Sequence, residues 1–122
     1  MATLLVSAGD ASGDLHGAEF ARRFRERHPD CCIAGLGGDA MRDAGVELLA
    51  HQRDLAVGGL VELAGSLPAV ARVWRRMGAA LAARRPDLVV LIDSGGFNLP
   101  FARRVRRRSR AKILYYVAPQ VW

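Results

Sequence analysis

The stretch "IDSGGFN", residues 92–98, places an aspartate, Asp93, where an apolar run ends. A carboxylate at the end of a buried strand loses part of its hydration. That raises its pKa toward the value a general base needs. The glycines that follow let a substrate come close to the backbone. A plainer use is open to the same residues: Asp93 or Asn98 can cap the helix that follows.

A second stretch, "SAGDASGDLHG" at 7–17, is rich in small and polar residues. A glycine-rich turn that runs into a helix offers unpaired N–H groups to an anion or a sugar. Gly9, Ser12 and Gly13 are the candidates for backbone approach. The spacing is not G-x-G-x-x-G, so the dinucleotide fingerprint is absent. Asp10 and Asp14 repel a phosphate and suit hydroxyl or amide groups, or helix capping. A β–α turn with a cap accounts for the stretch equally well. "GLGGDAM" at 35–41 brings Gly35, Gly37 and Gly38 to another such turn, and its local sequence favours a tight turn.

Other features carry less. "RRVRRRSR" at 103–110 reads as a solvated helix face or as a contact for anionic lipid or phosphate. Aromatic residues are not interleaved with it, which argues against single-stranded nucleic acid. Residues 55–81 combine apolar sequence with Arg72, Arg75, Arg76, Arg84 and Arg85, a pattern for core packing or for an interfacial membrane contact. His16, His28 and His51 have no partner pattern and read as structural or surface residues.

The 122 residues suit one domain, and about half are apolar, enough for a core. The net charge of +6 favours anionic partners. Cys31 and Cys32 are adjacent, so a strand would point them to opposite faces and leave them unbridged. No Cys or His spacing marks a metal site. The start lacks the basic region of a signal peptide, and no run approaches the roughly 18 apolar residues of a membrane span. These features suggest a cytosolic protein with reduced thiols.

The elements that must position the candidate residues follow from the apolar patterning. "TLLVSA" (3–8) is a short apolar run of the buried-strand type. "DLHGAEFARRFRERH" is an amphipathic helix with Leu15, Ala18 and Ala21 spaced by three; Asp10 or Ser12 caps it and Pro29 closes it. Residues 31–38 form a second strand, 39–45 a short helix stopped by Gly45, and 46–49 a short third strand. Pro68 starts a helix over 68–85 with Val70, Val73, Trp74, Met77 and Leu81 on one face. "DLVVLID" (87–93) is the clearest strand. A basic helix follows with Pro100 in its first turn, then a last strand at 112–118. The alternation predicts an α/β fold, a Rossmann-like doubly wound parallel sheet. The last strand runs into "APQVW" without the covering helix the pattern calls for, as in a piece of a longer protein or one half of a split one.

Five ordered blocks carry a family resemblance: "SAGDASGDLHGA", "GLGGDAMRDAGVELL", "RDLAVGGLVELAGSLPAV", "RPDLVVLIDSGGFNLPFARRVR" and "YYVAPQVW". Together they resemble the N-terminal portion of the lipid-A-disaccharide synthase family, glycosyltransferases of the GT-B type. The resemblance implies two Rossmann-like domains with the site in the cleft between them. Residues 1–122 would be the acceptor-side domain, without the C-terminal domain that holds most of the UDP. It implies transfer from UDP-2,3-diacylglucosamine to 2,3-diacylglucosamine 1-phosphate, giving UDP and a β-1,6-linked disaccharide. No metal or other cofactor is implied.

An α-linked donor that yields a β-linkage is inverted in one displacement, and one base suffices. The resemblance assigns that role to Asp93. It places Gly9, Asp10, Ser12, Gly13 and Asp14 along the cleft, with Gly37, Gly38 and Asn98 as further substrate contacts. The implied partners are the two acyl sugars, an anionic inner-membrane surface on the cytoplasmic side and the C-terminal half, with no nucleic acid. The family commonly has D-x-P-D-F-N where this chain has "DSGGFN", so Gly95 replaces proline and Gly96 the second acid. It tends to have glutamate where Asp10 stands. The looser loop keeps a second reading alive, a non-catalytic fragment that binds acyl sugar phosphate or anionic membrane.

Overall fold

A computed structural model describes residues 2–55, 63–92 and 95–116. Five parallel strands form one sheet: β1 (Thr3–Ala8), β2 (Cys32–Gly37), β3 (Glu47–His51), β4 (Leu88–Ile92) and β5 (Lys112–Tyr116). Their order is β3-β2-β1-β4-β5. Four helices connect them: α1 (Ala11–Arg27), α2 (Asp39–Asp43), α3 (Leu63–Arg84) and α4 (Gly95–Arg108). A 3-10 turn, Gln52–Asp54, follows β3. This is the expected Rossmann-like α/β arrangement.

Alternation along the strands divides the core between the two sheet faces. Leu4, Val6 and Ala8 of β1, with Val90 and Ile92 of β4, pack with Ala18 and Ala21 of α1 and Met41 of α2. Leu5, Val89 and Leu91 pack on the other face with Val73, Met77 and Leu81 of α3 and Phe97, Phe101 and Val105 of α4. Trp74, Phe97 and Phe101 lock α3 to α4. The Trp74 ring meets both phenyl rings edge-on, at 5.7 and 5.8 Å.

Several details differ from the sequence expectation. Leu15 is 65% exposed, and the inner face of α1 is made of Gly13, Gly17, Ala18 and Ala21. Small residues there let α1 lie close to the sheet. β3 runs two residues past the expected end, to His51. Its register against β2 shifts between Gly35 and Leu36, a bulge. α3 begins at Leu63, so Pro68 lies inside it and does not start it. α4 begins at Gly95, which puts Pro100 in the second turn. The Gly96 carbonyl thereby loses its intrahelical donor. Gly96 and Pro100 are both exposed, so water can take that place.

β5 alternates half-buried Ile113 and Tyr115 with exposed Lys112, Leu114 and Tyr116. On the Leu114 side no described helix covers it. A groove of about 300 Å³ lies there between β5 and α1, lined by His16, Phe20, Val90, Ile92, Leu114 and Tyr116 among others.

Candidate active-site crevice at the β1–β4 switch point

The chain leaves β1 toward one face of the sheet and β4 toward the other. In open α/β sheets the crevice between two such neighbouring strands is the preferred ligand site. The β1 end delivers Gly9 and Asp10, and on the other side β4 ends at Ile92. Asp93 itself lies outside the described residues, but the segments on either side of it, β4 to Ile92 and α4 from Gly95, are anchored to one another.

Asn98 supplies that anchorage. It is fully buried in the first turn of α4. Its Nδ2 donates to the carbonyls of Ile92 and Ser7, each at 3.1 Å. Its Oδ1 accepts from the Ser7 hydroxyl at 2.6 Å. The side chain therefore ties the start of α4 to the ends of both β4 and β1.

The β1 turn is built on capping. Asp10 is the N-cap of α1, its Oδ1 accepting from Gly13 N–H at 2.7 Å. Ser12 lies exposed inside the first turn. A Cβ on Gly13 would meet Asp10 Oδ1 at 3.1 Å and the Ala8 methyl at 3.2 Å. The absence of a side chain at position 13 thus lets α1 close onto the sheet.

Asp14 turns away from the β1 turn and into the protein. Its Oδ1 accepts from the N–H groups of Gly38 at 2.8 Å and Met41 at 2.9 Å, and its Oδ2 from Ala40 at 3.0 Å. Gly38, the N-cap of α2, brings no side chain of its own. A carboxylate from α1 does the capping instead, favoured by the positive end of the helix dipole. Added Cβ atoms at Gly37 and Gly38 would collide with Met41 Sδ and Asp14 Oδ2 respectively. Both glycines have a packing reason, in line with the tight turn that the local sequence favours.

Ser7, Gln52 and Asp39 were not singled out by the sequence reading, and His51 was read there as structural or surface. Ser7 reads as a small strand residue, yet its hydroxyl is half of the Asn98 clasp. Gln52, just after β3, has its amide nitrogen near Gly38 and a buried Oε1 without a partner among the described residues. His51 and Asp39 form a pair at 2.9 Å on the β2–β3 side of the sheet end. His51 Nδ1 accepts from the Arg53 N–H, so Nε2 carries the proton that faces Asp39. That bond, with Arg42 beside it, holds the Asp39 carboxyl below its usual range. His28 stacks on Phe24, and His16 packs near Tyr116.

Cys31 is buried and Cys32 exposed, and neither is in a disulfide. Among the described residues no three His, Cys, Asp or Glu side chains gather as a metal site. No described helix is long and apolar enough to cross a membrane.

Residues 4–122 match the family model of lipid-A-disaccharide synthetase. Lipid-A-disaccharide synthases of Geobacter sulfurreducens and Syntrophus aciditrophicus are 41% and 42% identical to the chain over 119 residues. That of Myxococcus xanthus is 37% identical. Each comparison covers 98% of this chain and 31% of the relative, so the chain spans about a third of the length of these proteins. By the extent of that match, the chain belongs to the lipid-A-disaccharide synthetase family.

Proposed function

We propose that this chain is the N-terminal, acceptor-side domain of an inverting glycosyltransferase of lipid A biosynthesis. The reaction joins UDP-2,3-diacylglucosamine to 2,3-diacylglucosamine 1-phosphate. The observation that carries the reading is the Asn98 clasp, which ties the start of α4 to the ends of β1 and β4, the described residues nearest Asp93, at the switch point of the sheet. The acceptor's 6-hydroxyl attacks the anomeric carbon of the donor. A new C–O bond forms as the bond to the UDP oxygen breaks, and UDP leaves with the electron pair. The hydroxyl proton passes to the Asp93 carboxylate. Inversion in one step accounts for the β-linkage.

Gly9, Asp10, Ser12 and Gly13 form the wall of the crevice on the β1 side and meet the reacting sugars through backbone groups. Asp14, Gly37, Gly38 and Asn98 shape that wall from behind. The part of the relatives beyond this chain supplies the UDP site and closes the cleft. The substrates carry acyl chains, so the enzyme works as a peripheral protein on the cytoplasmic side of the inner membrane.

The test is disaccharide formation from the two acyl sugars, by this chain alone and mixed with the C-terminal part of a relative. Product in the mixture, abolished by Asp93→Asn with the fold intact, is the expected result. Turnover that survives Asp93→Asn would remove Asp93 as the base. A second reading draws on Gly96, where an added Cβ would meet nothing within 4 Å. There, the two glycines that open α4 aim the base too loosely, and the domain binds acyl sugar phosphate without reacting it. Binding of the acceptor with no product in any mixture supports that alternative.

A further inference from the structure

The exposed face of α4 is basic over its C-terminal half, from Arg103 on, and the charge is not confined to the last turn. Arg106, Arg107 and Arg108 sit in the last turn, where they complement the helix dipole. Arg103 and Arg104 lie further in, where the dipole gives little. The pairs Arg103–Arg107 and Arg104–Arg108 are spaced by four, so like charges stack on one face at a cost to the helix. No described carboxylate forms an ion pair with Arg75, Arg103, Arg104, Arg107 or Arg108.

One of these arginines is held in a built seat. The Arg104 guanidinium lies over the Trp74 ring, 5.0 Å from its centroid, and donates to the Trp74 carbonyl at 3.1 Å. Gly78, one turn further along α3, makes the room, because a Cβ there would collide with the guanidinium. A glycine inside a helix costs roughly 1 kcal/mol relative to alanine, so the seat has a price in stability. Two open cavities meet at this point. One, of about 470 Å³, is lined by Trp74, Pro100, Arg103, Arg104, Arg107 and Arg108. The other, of about 330 Å³, includes Arg75, Arg104 and Arg108. Arg104 and Arg108 line both, so the two are one groove between α3 and α4.

We infer that this groove and the outer face of α4 bind the phosphate headgroups of acidic phospholipids, with α4 lying along the membrane surface. Guanidinium forks match phosphate oxygens. The charge is spread along a helix and its groove, as a surface of many headgroups requires. Exposed Leu99 and Pro100 stand one turn before Arg103 on the same face, apolar residues ahead of arginines, as on an interfacial helix. The inference deepens the proposed function, on which it rests for the presence of a membrane. Its test reads lipid binding without turnover.

The test is sedimentation of this chain with vesicles of phosphatidylglycerol and phosphatidylcholine, against phosphatidylcholine alone. Arg103→Gln/Arg107→Gln is compared with Arg27→Gln/Arg42→Gln, which removes the same charge from the opposite side of the sheet. The expected result is binding to the acidic vesicles only, weakened on the order of tenfold or more by the α4 variant and far less by the control. Equal weakening by both variants would overturn the groove in favour of net charge. So would no binding to acidic vesicles at low salt. Displacement by inorganic phosphate beyond that of chloride at the same ionic strength would overturn the lipid assignment in favour of a small phosphate ligand. A Trp122→Phe background adds a readout on the unaltered groove. Trp74 emission shifts with acidic vesicles if the inference holds, and a Trp74 signal blind to bound vesicles would refute it.

Discussion

The Ser7 hydroxyl and the Asn98 amide meet at 2.6 Å across 91 residues of sequence, fully buried between β1 and α4. The pair joins the two strand ends that define the crevice. Asn98→Leu leaves the Ser7 hydroxyl and the carbonyls of Ser7 and Ile92 without this partner. An unsatisfied buried polar group costs about 1–3 kcal/mol, so a loss of ~3 kcal/mol is expected in urea unfolding. Ser7→Ala removes one partner only and costs ~1 kcal/mol. The double variant tests the coupling: its loss is expected to fall well short of the sum of the singles.

Asp14 serves α2 as a cap from another helix. Asp14→Ala leaves the N–H groups of Gly38, Ala40 and Met41 without their acceptor. The expected cost is about 2–3 kcal/mol, above that of an ordinary surface cap because the carboxylate is buried and takes all three. Asp14→Asn keeps an acceptor oxygen and should cost less. Hydrogen exchange at Met41 reports the cap directly, and unchanged protection in Asp14→Ala would refute the role.

Strand positions, helix order and the sheet class are legible in the sequence because apolar runs of the strand type alternate with helical periodicity. The helix starts at 63 and 95 are not. Proline reads as a first-turn residue, and here Pro68 and Pro100 sit a turn deeper. Nor is the direction of Asp14 legible. An aspartate in a glycine-rich turn looks the same whether it faces a ligand or a helix 24 residues away, and only the tertiary contact with Gly38 decides. Ser7 carries no signal at all, since a strand serine is defined by what faces it. In the opening stretch both carboxylates are engaged in capping, Asp10 on α1 and Asp14 on α2.

Gly35 is the least replaceable of the glycines. It has φ 158°, and an added Cβ would collide with the Val6 carbonyl across the β1–β2 ladder. The obstacle is backbone in the centre of the sheet and has no rotamer to escape into. Gly35→Ala is expected to lower stability by more than ~3 kcal/mol, in the range of severe core disruption. Gly37 differs, because its obstacle is the flexible end of Met41. Pairing Gly37→Ala with Met41→Ala should therefore recover part of the loss that Gly37→Ala causes alone. Unfolding curves of the three variants test the contrast.

Glu47 on β3 is gripped by Arg84 at the end of α3, with bonds of 3.1 and 2.7 Å. The hydrogen bond to Arg84 holds its carboxyl below the ordinary value of 4.5. A carboxyl with a lowered folded-state pKa stabilises the fold above the unfolded pKa, and the contribution is lost as pH falls through the folded value. The pair is exposed, so its full worth is about 0.5 kcal/mol. Wild type should therefore exceed Glu47→Gln by that margin near pH 6. The gap should close as pH drops below 4.5. A gap that persists under strong acid, or that is insensitive to salt near neutrality, would contradict the electrostatic origin.

Gly95 opens α4, two residues after Asp93 in the sequence. The first helical position has no intrahelical donor to lose, and proline is pre-set for its φ. Gly95→Pro should therefore stabilise the chain by about 0.5–1 kcal/mol, through lost freedom in the unfolded state. The rise in midpoint should amount to several degrees for a domain of this size. The functional consequence is separable. If the turn at 93–94 aims a base, stiffening its exit should raise kcat in the completed enzyme and leave KM for the acceptor unchanged. A variant that gains stability without any gain in kcat would mean that the looseness introduced by Gly95 does not limit the aim of Asp93.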